Sequence, residues 1–332
     1  MLRLAALLLS VSLLAAAEPP GIRIANRHAQ AEVYLPDSAA GFYRGTRFDW
    51  SGVIHSLKAQ GHDYYGPWFD RTDPKIHDFI YDGAEIVAGP CSAVTGPVDE
   101  FAPLGFDAAA PGANFVKIGV GALRRPDAAA YDNYRLYEIA GPGKWTVRKR
   151  RSSVEFTHAL SDASSGYGYI YRKTVRLAKD QPGMVLEHRL KNTGTRPIRT
   201  TVYNHNFLVL DRQPPGPDLS IAFPFQVRTP KPLNPELAEV RGDRIVYLKA
   251  LAGRDTASAA IEGFGTTPRD NQFRIESTRL GAGVKVVSDR ALLRAYLWSI
   301  RTVVSFEPFI AIAVEPGQEF TWTSTYTYYK LP

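Results

Sequence analysis

One histidine in this sequence lies in a setting that suits the binding of a sugar. Residues 200–207 predict a strand. On it, the side chains of Tyr203, His205 and Phe207 share one face. An imidazole between two aromatic rings suits a sugar, because the C–H faces of a sugar stack on rings while its hydroxyl groups need polar partners. The alternative is a core histidine whose ring nitrogens are both hydrogen-bonded, and the pattern alone favours that alternative.

Several other chemistries are excluded by motifs that the sequence lacks. No G-x-G-x-x-G loop enters a helix, and no Walker, H-E-x-x-H or G-x-S-x-G motif is present. The seven histidines lie at positions 28, 55, 62, 77, 158, 188 and 205, and none forms the close pair that a metal site usually shows. The single cysteine, Cys91, excludes an intramolecular disulfide, and we interpret it as a buried, inert thiol. We therefore expect no metal and no redox or phosphate chemistry.

The chain is mildly basic, with a formal net charge of +7. Without residues 1–17, which contain Arg3 and no acidic residue, the net charge falls to +6. The densest basic run, Arg148–Arg151, has no interleaved aromatic residues and no nucleic-acid-binding motif beside it. We interpret this run as a solvated strand end in preference to a nucleic-acid patch, and we expect no nucleic-acid partner.

Residues 1–17 predict a signal peptide. The basic start Leu2-Arg3 is followed by the apolar run Leu4–Leu14 and then by three alanines that provide an A-x-A cleavage site. The apolar run is shorter than the roughly 20 residues that span a bilayer, so we expect no stable membrane insertion. The sequence therefore predicts an exported protein, periplasmic or secreted, with residues 18–332 as a single domain.

Most of the remaining chain alternates apolar and polar residues, which is typical of β-strands. The alternation is combined with β-branched and aromatic residues and with Gly and Pro between segments, and this combination favours a sandwich or barrel. The predicted strands are Val53–Leu57, Phe115–Val120, Val154–His158, Tyr167–Leu177, Met184–Leu190, Arg244–Leu248, Leu293–Ile300, Val303–Phe309 and Phe320–Tyr328. The prolines between positions 214 and 235 predict one long irregular excursion. We expect an all-β fold.

Two blocks of the sequence resemble the aldose 1-epimerase family, the galactose mutarotase-like proteins. In that family a strand ending in L-x-N-x-G precedes a strand reading T-x-x-N-H, and a later L-E-P element precedes P-G-E. The matching residues here are Leu190, Asn192, Gly194, Thr201, Asn204 and His205, then Phe306-Glu307-Pro308 and Pro316-Gly317-Gln318-Glu319. The family's phenylalanine falls three residues after the histidine, whereas Phe207 falls two after it. The order of the two blocks agrees with the family.

The resemblance implies a large antiparallel β-sandwich, the galactose mutarotase-like supersandwich, and a carbohydrate ligand, either a small sugar or an oligosaccharide. In the family's reaction a base removes the proton of the anomeric hydroxyl and an acid protonates the ring oxygen, so that the ring opens and recloses as the other anomer. By this resemblance Glu307 is the base, His205 is the acid and Asn204 contacts the substrate. The mechanism requires no cofactor.

Glu307 lies on a predicted strand and shares a face with Val303, Ser305 and Phe309. A half-buried setting of this kind raises the pKa of a carboxyl group toward the working pH of a catalytic acid or base. The alternative is an ordinary strand-edge carboxylate that pairs with an arginine such as Arg301.

The N-terminal half departs from the family pattern, because the L-H-G-G segment with its second sugar-binding histidine is absent. His62 and His77 are the candidates to replace that histidine. Lys117 and Arg47 are the candidates to replace the family's sugar-binding arginine. For each of the four, a structural salt bridge or a strand-end polar group is the favoured alternative.

These departures leave two functions open. The missing segment favours a non-catalytic carbohydrate-binding or glycan-processing accessory protein. Retention of both His205 and Glu307 favours an enzyme of the aldose 1-epimerase type, because binding alone does not need an acid and a base. The sequence leaves the oligomeric state open.

Overall fold

The computed structural model describes residues 18–332, so the predicted signal peptide lies outside the described residues. Across this range the regular structure consists of β-strands and two 3₁₀ turns, Leu210–Arg212 and Pro268–Asp270, with no α-helix. Residues 18–332 accordingly contain no helix of the length and apolar character that a membrane crossing requires. The prediction of an all-β fold is confirmed.

The strands are numbered in chain order. They are β1 (Gly21–Ala25), β2 (Ala29–Tyr34), β3 (Ile54–Ala59), β4 (His62–Tyr65), β5 (Arg71–Thr72), β6 (Phe79–Asp82), β7 (Glu85–Ala88), β8 (Gly96–Phe101), β9 (Asn114–Lys117), β10 (Gly121–Arg124), β11 (Ile139–Gly141), β12 (Lys144–Lys149), β13 (Ser153–Asp162), β14 (Tyr167–Leu177), β15 (Gly183–Asn192), β16 (Ile198–Phe207), β17 (Leu219–Ala222), β18 (Ala238–Arg241), β19 (Arg244–Tyr247), β20 (Thr256–Ile261), β21 (Gln272–Ser277), β22 (Ala282–Ser288), β23 (Arg294–Ile300), β24 (Val303–Val314) and β25 (Glu319–Lys330).

Two large sheets and three small ones contain these strands. The largest has ten strands in the order β12-β13-β14-β15-β25-β22-β21-β17-β19-β18, and the second has five in the order β20-β23-β24-β16-β8. The small sheets are β1-β2-β3-β4, β11-β10-β9 and β5-β7-β6. Neighbouring strands in both large sheets are antiparallel, for example β15 with β25 and β16 with β24, whereas β5 and β7 are parallel. The predicted antiparallel β architecture is therefore confirmed.

Two details of the strand prediction are corrected. Strand β9 ends at Lys117 instead of Val120, because the chain turns at Gly119, where φ is +77° and a Cβ atom would clash with the carboxylate of Asp49. The proline-rich segment is not one irregular excursion, since β17 (Leu219–Ala222) lies within it and pairs with β19 and β21. The prolines lie outside β17, where they remove no ladder hydrogen bond.

The two large sheets pack face to face and enclose much of the core. The hydroxyl of Tyr326, on β25, donates to the side-chain oxygens of Asn204 and Asn206 on β16, at 3.0 and 2.7 Å. Nearby, Phe101 of β8 packs edge-on against Tyr171 and Trp322, with ring centroids 5.4 and 6.1 Å apart. The inward positions of β14 and β25 are mostly aromatic or apolar at alternate residues, whereas the inward face of β16 includes the polar Asn204 and Asn206.

A cluster of ionisable side chains is buried inside this sandwich, and we call Asp49, Asp99, Lys173 and His188 the buried charge cluster. Lys173 Nζ lies 2.7 Å from Asp99 and 3.5 Å from Asp49, and His188 Nε2 lies 3.0 Å from Asp99. Burial alone would raise the pKa of Asp99, but Lys173 and His188 hold that pKa below its ordinary value. Burial would likewise lower the pKa of Lys173, but the two carboxylates hold it above its ordinary value. Asp99 and Lys173 therefore compensate each other, whereas burial still raises the pKa of Asp49, 3.5 Å from Lys173.

The opposite face of the five-stranded sheet carries the residues singled out by sequence. The register between β16 and β24 places Tyr203 opposite Phe309, so it also places His205 opposite Glu307. On the other side of β24, Tyr296 of β23 lies opposite Glu307. Residues from the irregular connections before β3, after β7 and before β11, together with β6, pack over part of this face. A cleft remains between them and the sheet.

Candidate functional site

The cleft is small and mostly aromatic. Its volume is about 220 Å³, below the roughly 300–1,000 Å³ of pockets for drug-sized molecules, so it suits a single small ligand. Its lining residues are Arg47, Trp68, Asp78, Phe79, Ser92, Tyr134, His205, Phe207, Tyr296, Trp298 and Glu307. Aromatic walls with a few polar groups are the composition that a sugar requires.

His205 and Glu307 touch each other on the wall of this cleft. His205 Nε2 lies 3.2 Å from Glu307 Oε1, and His205 Nδ1 lies 2.7 Å from the hydroxyl oxygen of Ser305. The imidazole stacks on Phe207 with ring centroids 3.6 Å apart and planes 7° apart. The rings of Trp298 and His205 are nearly perpendicular, with centroids 5.6 Å apart. These contacts fix the ring so that only its Nε2 edge is available for chemistry with the carboxyl group and a ligand.

The protein environment shifts the pKa values of this pair in opposite directions. Burial raises the pKa of Glu307 to about 8, with a smaller opposing effect from the positive charge of Arg47. Burial also lowers the pKa of His205 well below its usual value, and Arg47 adds to this effect by repelling the imidazolium. At neutral pH the carboxyl group of the free site is therefore protonated and the imidazole is neutral, so the titratable proton of the pair lies on Glu307.

Arg47 is held at the cleft by a buried network on β8 and β16. Its Nε donates to Glu100 at 2.6 Å and its Nη2 donates to the hydroxyl of Tyr203 at 3.0 Å. The Tyr203 hydroxyl donates in turn to Glu100 at 2.5 Å. The guanidinium also lies 4.8 Å from the centre of the Tyr134 ring, which forms part of the cleft wall. Arg47 thus combines a structural salt bridge with a position that a ligand can reach.

Lys117, the other candidate for a sugar-binding cation, lies beneath the cleft. Its ammonium group donates to the backbone oxygen of Phe101 at 2.5 Å and lies 3.9 Å from Glu100. The side chain is fully buried, and burial lowers the pKa of Lys117 to about 8. Lys117 supports Glu100 and does not line the cleft.

Three other sequence candidates lie away from the pair. His62 Nδ1 lies 2.7 Å from a carboxylate oxygen of Asp211, on a different part of the surface. Asn204 faces the sandwich interior, where its amide nitrogen donates to Asp99 at 3.0 Å. His77 is exposed and lies 2.6 Å from Asp132, next to the cleft residue Asp78 in the chain. The structure brings together Arg47, His205 and Glu307 and leaves His62, Asn204 and Lys117 outside the cleft, with His77 at its rim.

The alternative of a strand-edge carboxylate paired with Arg301 does not describe Glu307. Strand β24 lies between β23 and β16, so Glu307 is on an interior strand. Arg301 donates to the backbone oxygens of Gly253 and Ala84 at 2.6 and 2.5 Å. The raised pKa of Glu307 is consistent with the absence of a close cation partner among the described residues.

Several cleft residues had no signal in the sequence that we could use. Asp78 accepts a hydrogen bond from Ser92 at 2.5 Å, and burial raises its pKa. Tyr134 and Trp68 come from irregular connections whose position depends on tertiary packing. Trp298 is the exception, because its alternation with Tyr296 on a predicted strand could have placed both on one face.

Within the described part of the chain, no group of three or more His, Cys, Asp or Glu side chains could hold a metal ion. The absence of a metal and of a cofactor stays a prediction of the sequence.

No protein-family model matches the chain, and no curated protein matches it at a significant level. Solved structures do match. The Slr1438 protein from Synechocystis sp. PCC 6803 aligns over 99% of this chain and 100% of its own, with 12% identity and a TM-score of 0.56. A galactose mutarotase related enzyme from Lactobacillus acidophilus aligns over 93% and 97%, with 13% identity and a TM-score of 0.53. A GalM/aldose epimerase homologue from C. elegans aligns over 94% and 99%, with 13% identity and a TM-score of 0.53.

At these identities the likeness establishes the fold. The chain has the fold of the galactose mutarotase-like proteins over nearly its whole described length. The family resemblance seen in the sequence is confirmed at this level.

Proposed function

We propose that this protein is an aldose 1-epimerase-like enzyme that interconverts the anomers of a sugar. The observation that carries the proposal is the contact of His205 Nε2 with Glu307 Oε1, 3.2 Å apart, on the wall of a small aromatic cleft. The galactose mutarotase-like fold supports a sugar as the ligand, since two of the matched structures are described as a mutarotase-related enzyme and an aldose epimerase homologue.

The reaction needs one base and one acid, and the pair supplies both with the single proton that it shares. Transfer of that proton from Glu307 Oε1 to His205 Nε2 leaves a carboxylate and an imidazolium. The carboxylate removes the proton of the anomeric hydroxyl while the imidazolium protonates the ring oxygen, and the C1–O5 bond breaks to give the open aldehyde. Rotation about the C1–C2 bond and reclosure, with both proton transfers reversed, give the other anomer and restore the pair.

The opposite assignment, with neutral His205 as base and protonated Glu307 as acid, uses the same number of protons. Both assignments therefore need the one titratable proton that the free site holds at neutral pH, and only the second uses it where the free site carries it, on Glu307. The proposal does not depend on which of the two groups begins as the base.

The test is the rate at which freshly dissolved α-glucose and α-galactose anomerise in the presence of the purified protein, followed by polarimetry or NMR. We expect acceleration over the spontaneous rate, and we expect His205→Ala and Glu307→Gln each to lower kcat by about 10²–10⁴-fold. Matched controls are His28→Ala, in the turn between β1 and β2, and Glu315→Gln, whose exposed carboxylate pairs with Arg199. Both controls should keep wild-type activity.

The second candidate is a carbohydrate-binding or glycan-processing accessory protein without turnover. It is favoured by the burial of His205, whose Nδ1 is hydrogen-bonded to Ser305 without any ligand. Saturable sugar binding in calorimetry without any acceleration of anomerisation would establish this second function. If the protein still accelerated anomerisation in both His205→Ala and Glu307→Gln, neither residue would be the catalytic acid or base.

Export, to the periplasm or the outside of the cell, is part of the proposal and rests on the sequence of residues 1–17. Mass spectrometry of the protein recovered from the extracytoplasmic fraction tests it. The expected N-terminus is Glu18, and recovery only from the cytoplasm with residues 1–17 intact would contradict export.

A further inference from the structure

We propose that the cleft continues across the outer face of β23 and β20 as a second sugar subsite, with the ring of Tyr296 as its platform. The ligand is then the reducing end of a disaccharide or longer oligosaccharide. This inference rests on the proposed function, because the anomeric carbon of the first sugar must lie at His205 and Glu307.

The register of the five-stranded sheet places Tyr296 between the reactive pair and the edge of the sheet. Tyr296 lies opposite Glu307 on β24 and opposite Ala260 on β20. Strand β20 is the last strand on that side. A ligand that leaves the pair in this direction therefore crosses Tyr296 first.

The side chains beyond Tyr296 are small. Its partner Ala260 is exposed, and Ser258, which lies opposite Trp298, is half-buried. Neither side chain is long enough to cover the ring of Tyr296. By contrast, Trp298 itself is covered by Phe79 of β6, at a ring-centroid distance of 5.9 Å.

Tyr296 combines partial exposure with a place on the cleft wall. It is the aromatic residue among the large exposed apolar side chains of the described chain, with 38% of its surface accessible, although it also lines the cleft. An exposed ring beside a sugar-sized cavity gives the C–H face of a second sugar a surface on which to stack.

A ligand with more than one sugar needs a binding surface outside the cleft, because the cleft is small. At about 220 Å³ the cleft holds one small ring, so any second unit must lie outside it. The guanidinium of Arg294, next to Tyr296 on the same face, stacks on Phe309 at 4.0 Å and so borders the platform without covering it. Its free N–H groups are available to sugar hydroxyls.

The experiment compares glucose with maltose, and galactose with a disaccharide whose reducing-end unit is galactose, in anomerisation kinetics and in calorimetric binding. For the wild-type protein we expect the disaccharide to have the higher kcat/KM and the tighter binding. Tyr296→Ala should lower kcat/KM for the disaccharide about 3- to 10-fold more than for the monosaccharide, the size of one aromatic stacking contact. Tyr296→Phe keeps the ring and should retain the wild-type preference.

Leu248→Ala is the matched control, because Leu248 is exposed to the same extent as Tyr296 but follows β19 at the far end of the ten-stranded sheet. It should leave the preference unchanged. Equal losses for both sugars in Tyr296→Ala, with wild-type activity intact, would overturn the subsite and leave the proposed function standing. No acceleration and no binding with any sugar would overturn both.

Discussion

Two buried histidine–carboxylate pairs among residues 18–332 have nearly equal N···O distances but lie in opposite environments. His188 Nε2 lies 3.0 Å from Asp99, and His205 Nε2 lies 3.2 Å from Glu307. The pKa of Asp99 is lowered, because Lys173 is 2.7 Å away and outweighs burial, whereas burial raises the pKa of Glu307 to about 8. The contact distance alone therefore does not tell a structural pair from a reactive one.

The difference lies in the neighbours of each pair. His188 stacks on Trp322 inside the sandwich, and its carboxylate partner is satisfied by a lysine and an asparagine. His205 and Glu307 lie on a cleft wall, and Arg47, the cation with the largest effect on the pKa of Glu307, is already hydrogen-bonded to Glu100. In the cluster, Lys173 outweighs burial at Asp99 but not at Asp49, whereas at Glu307 burial outweighs the effect of Arg47 and the carboxyl group keeps its proton at neutral pH.

The largest effect should come from removing the cation of the buried charge cluster. Lys173→Met leaves Asp99 and Asp49 buried without it, and we expect a loss of about 3–5 kcal/mol in the free energy of unfolding, measured in urea. Arg176→Met, on the same strand but in a surface pair with Glu187, should cost less than about 1 kcal/mol. If both variants lost similar amounts of unfolding free energy, Lys173 would contribute no more to stability than a surface cation does.

The next effect concerns how the ionisation of Glu307 changes the free energy of unfolding with pH. The pKa of Glu307 lies near 8 in the folded chain, above its ordinary value of 4.5, so the folded chain binds this proton more tightly than the unfolded chain. The fold therefore loses stability as the pH rises from about 4.5 toward 8, because the unfolded chain releases this proton in that range while the folded chain still holds it. Glu307→Gln, which stays neutral, should become more stable relative to wild type between pH 6 and pH 9, by on the order of a few kcal/mol at most.

Glu315→Gln provides the comparison for that measurement, because Glu315 is exposed and pairs with Arg199. Its stability relative to wild type should change little over the same pH range. A constant difference between Glu307→Gln and wild type would contradict the raised pKa.

The pH dependence of catalysis should follow the shared proton. After subtraction of the spontaneous rate, kcat/KM for anomerisation should be level near pH 7 and fall as the pH rises through about 8, by about tenfold per pH unit, because ionisation of Glu307 removes the proton from the pair. A rate that rises through pH 8 would mean that the ionised carboxylate acts as a base without His205 as its acid.

The smallest effect should come from Ser305, whose hydroxyl lies 2.7 Å from His205 Nδ1. This hydroxyl can donate to a neutral Nδ1 or accept from a protonated one, so it positions the imidazole in either state. Ser305→Ala should lower kcat about 3- to 10-fold and move the midpoint of the pH profile. Ser299→Ala, which removes a buried hydroxyl bonded to Tyr247 instead, should affect stability only.

Much of the fold and part of the site could be predicted from the sequence. Alternation alone placed β14 within its observed limits, Tyr167–Leu177, and placed His205 and Phe207 on the face opposite Asn204. The family resemblance added Glu307, which no local pattern connects to a histidine about 100 positions away.

The remaining site residues could not be predicted, because their positions depend on tertiary packing of irregular segments. Asp78 and Tyr134 reach the cleft only after the connections that carry them fold over the sheet. Lys117 carries a charge that could bind a sugar hydroxyl. Its strand ends at the turn at Gly119, however, and its side chain is buried next to Glu100. Alternation in the sequence specifies which side of a strand a residue occupies, but it does not specify which part of the sheet an irregular connection packs against.

The register that brings β8, β16 and β24 together has a consequence for how the protein folds. Tyr203 contacts Glu100 across 103 positions of the chain, and His205 contacts Ser305 across 100. Loops of this length must close before either contact can form, and high contact order of this kind slows folding. In refolding from urea, sugar-dependent signals from the cleft should therefore appear in the slowest phase, after the local hairpins of the ten-stranded sheet have formed.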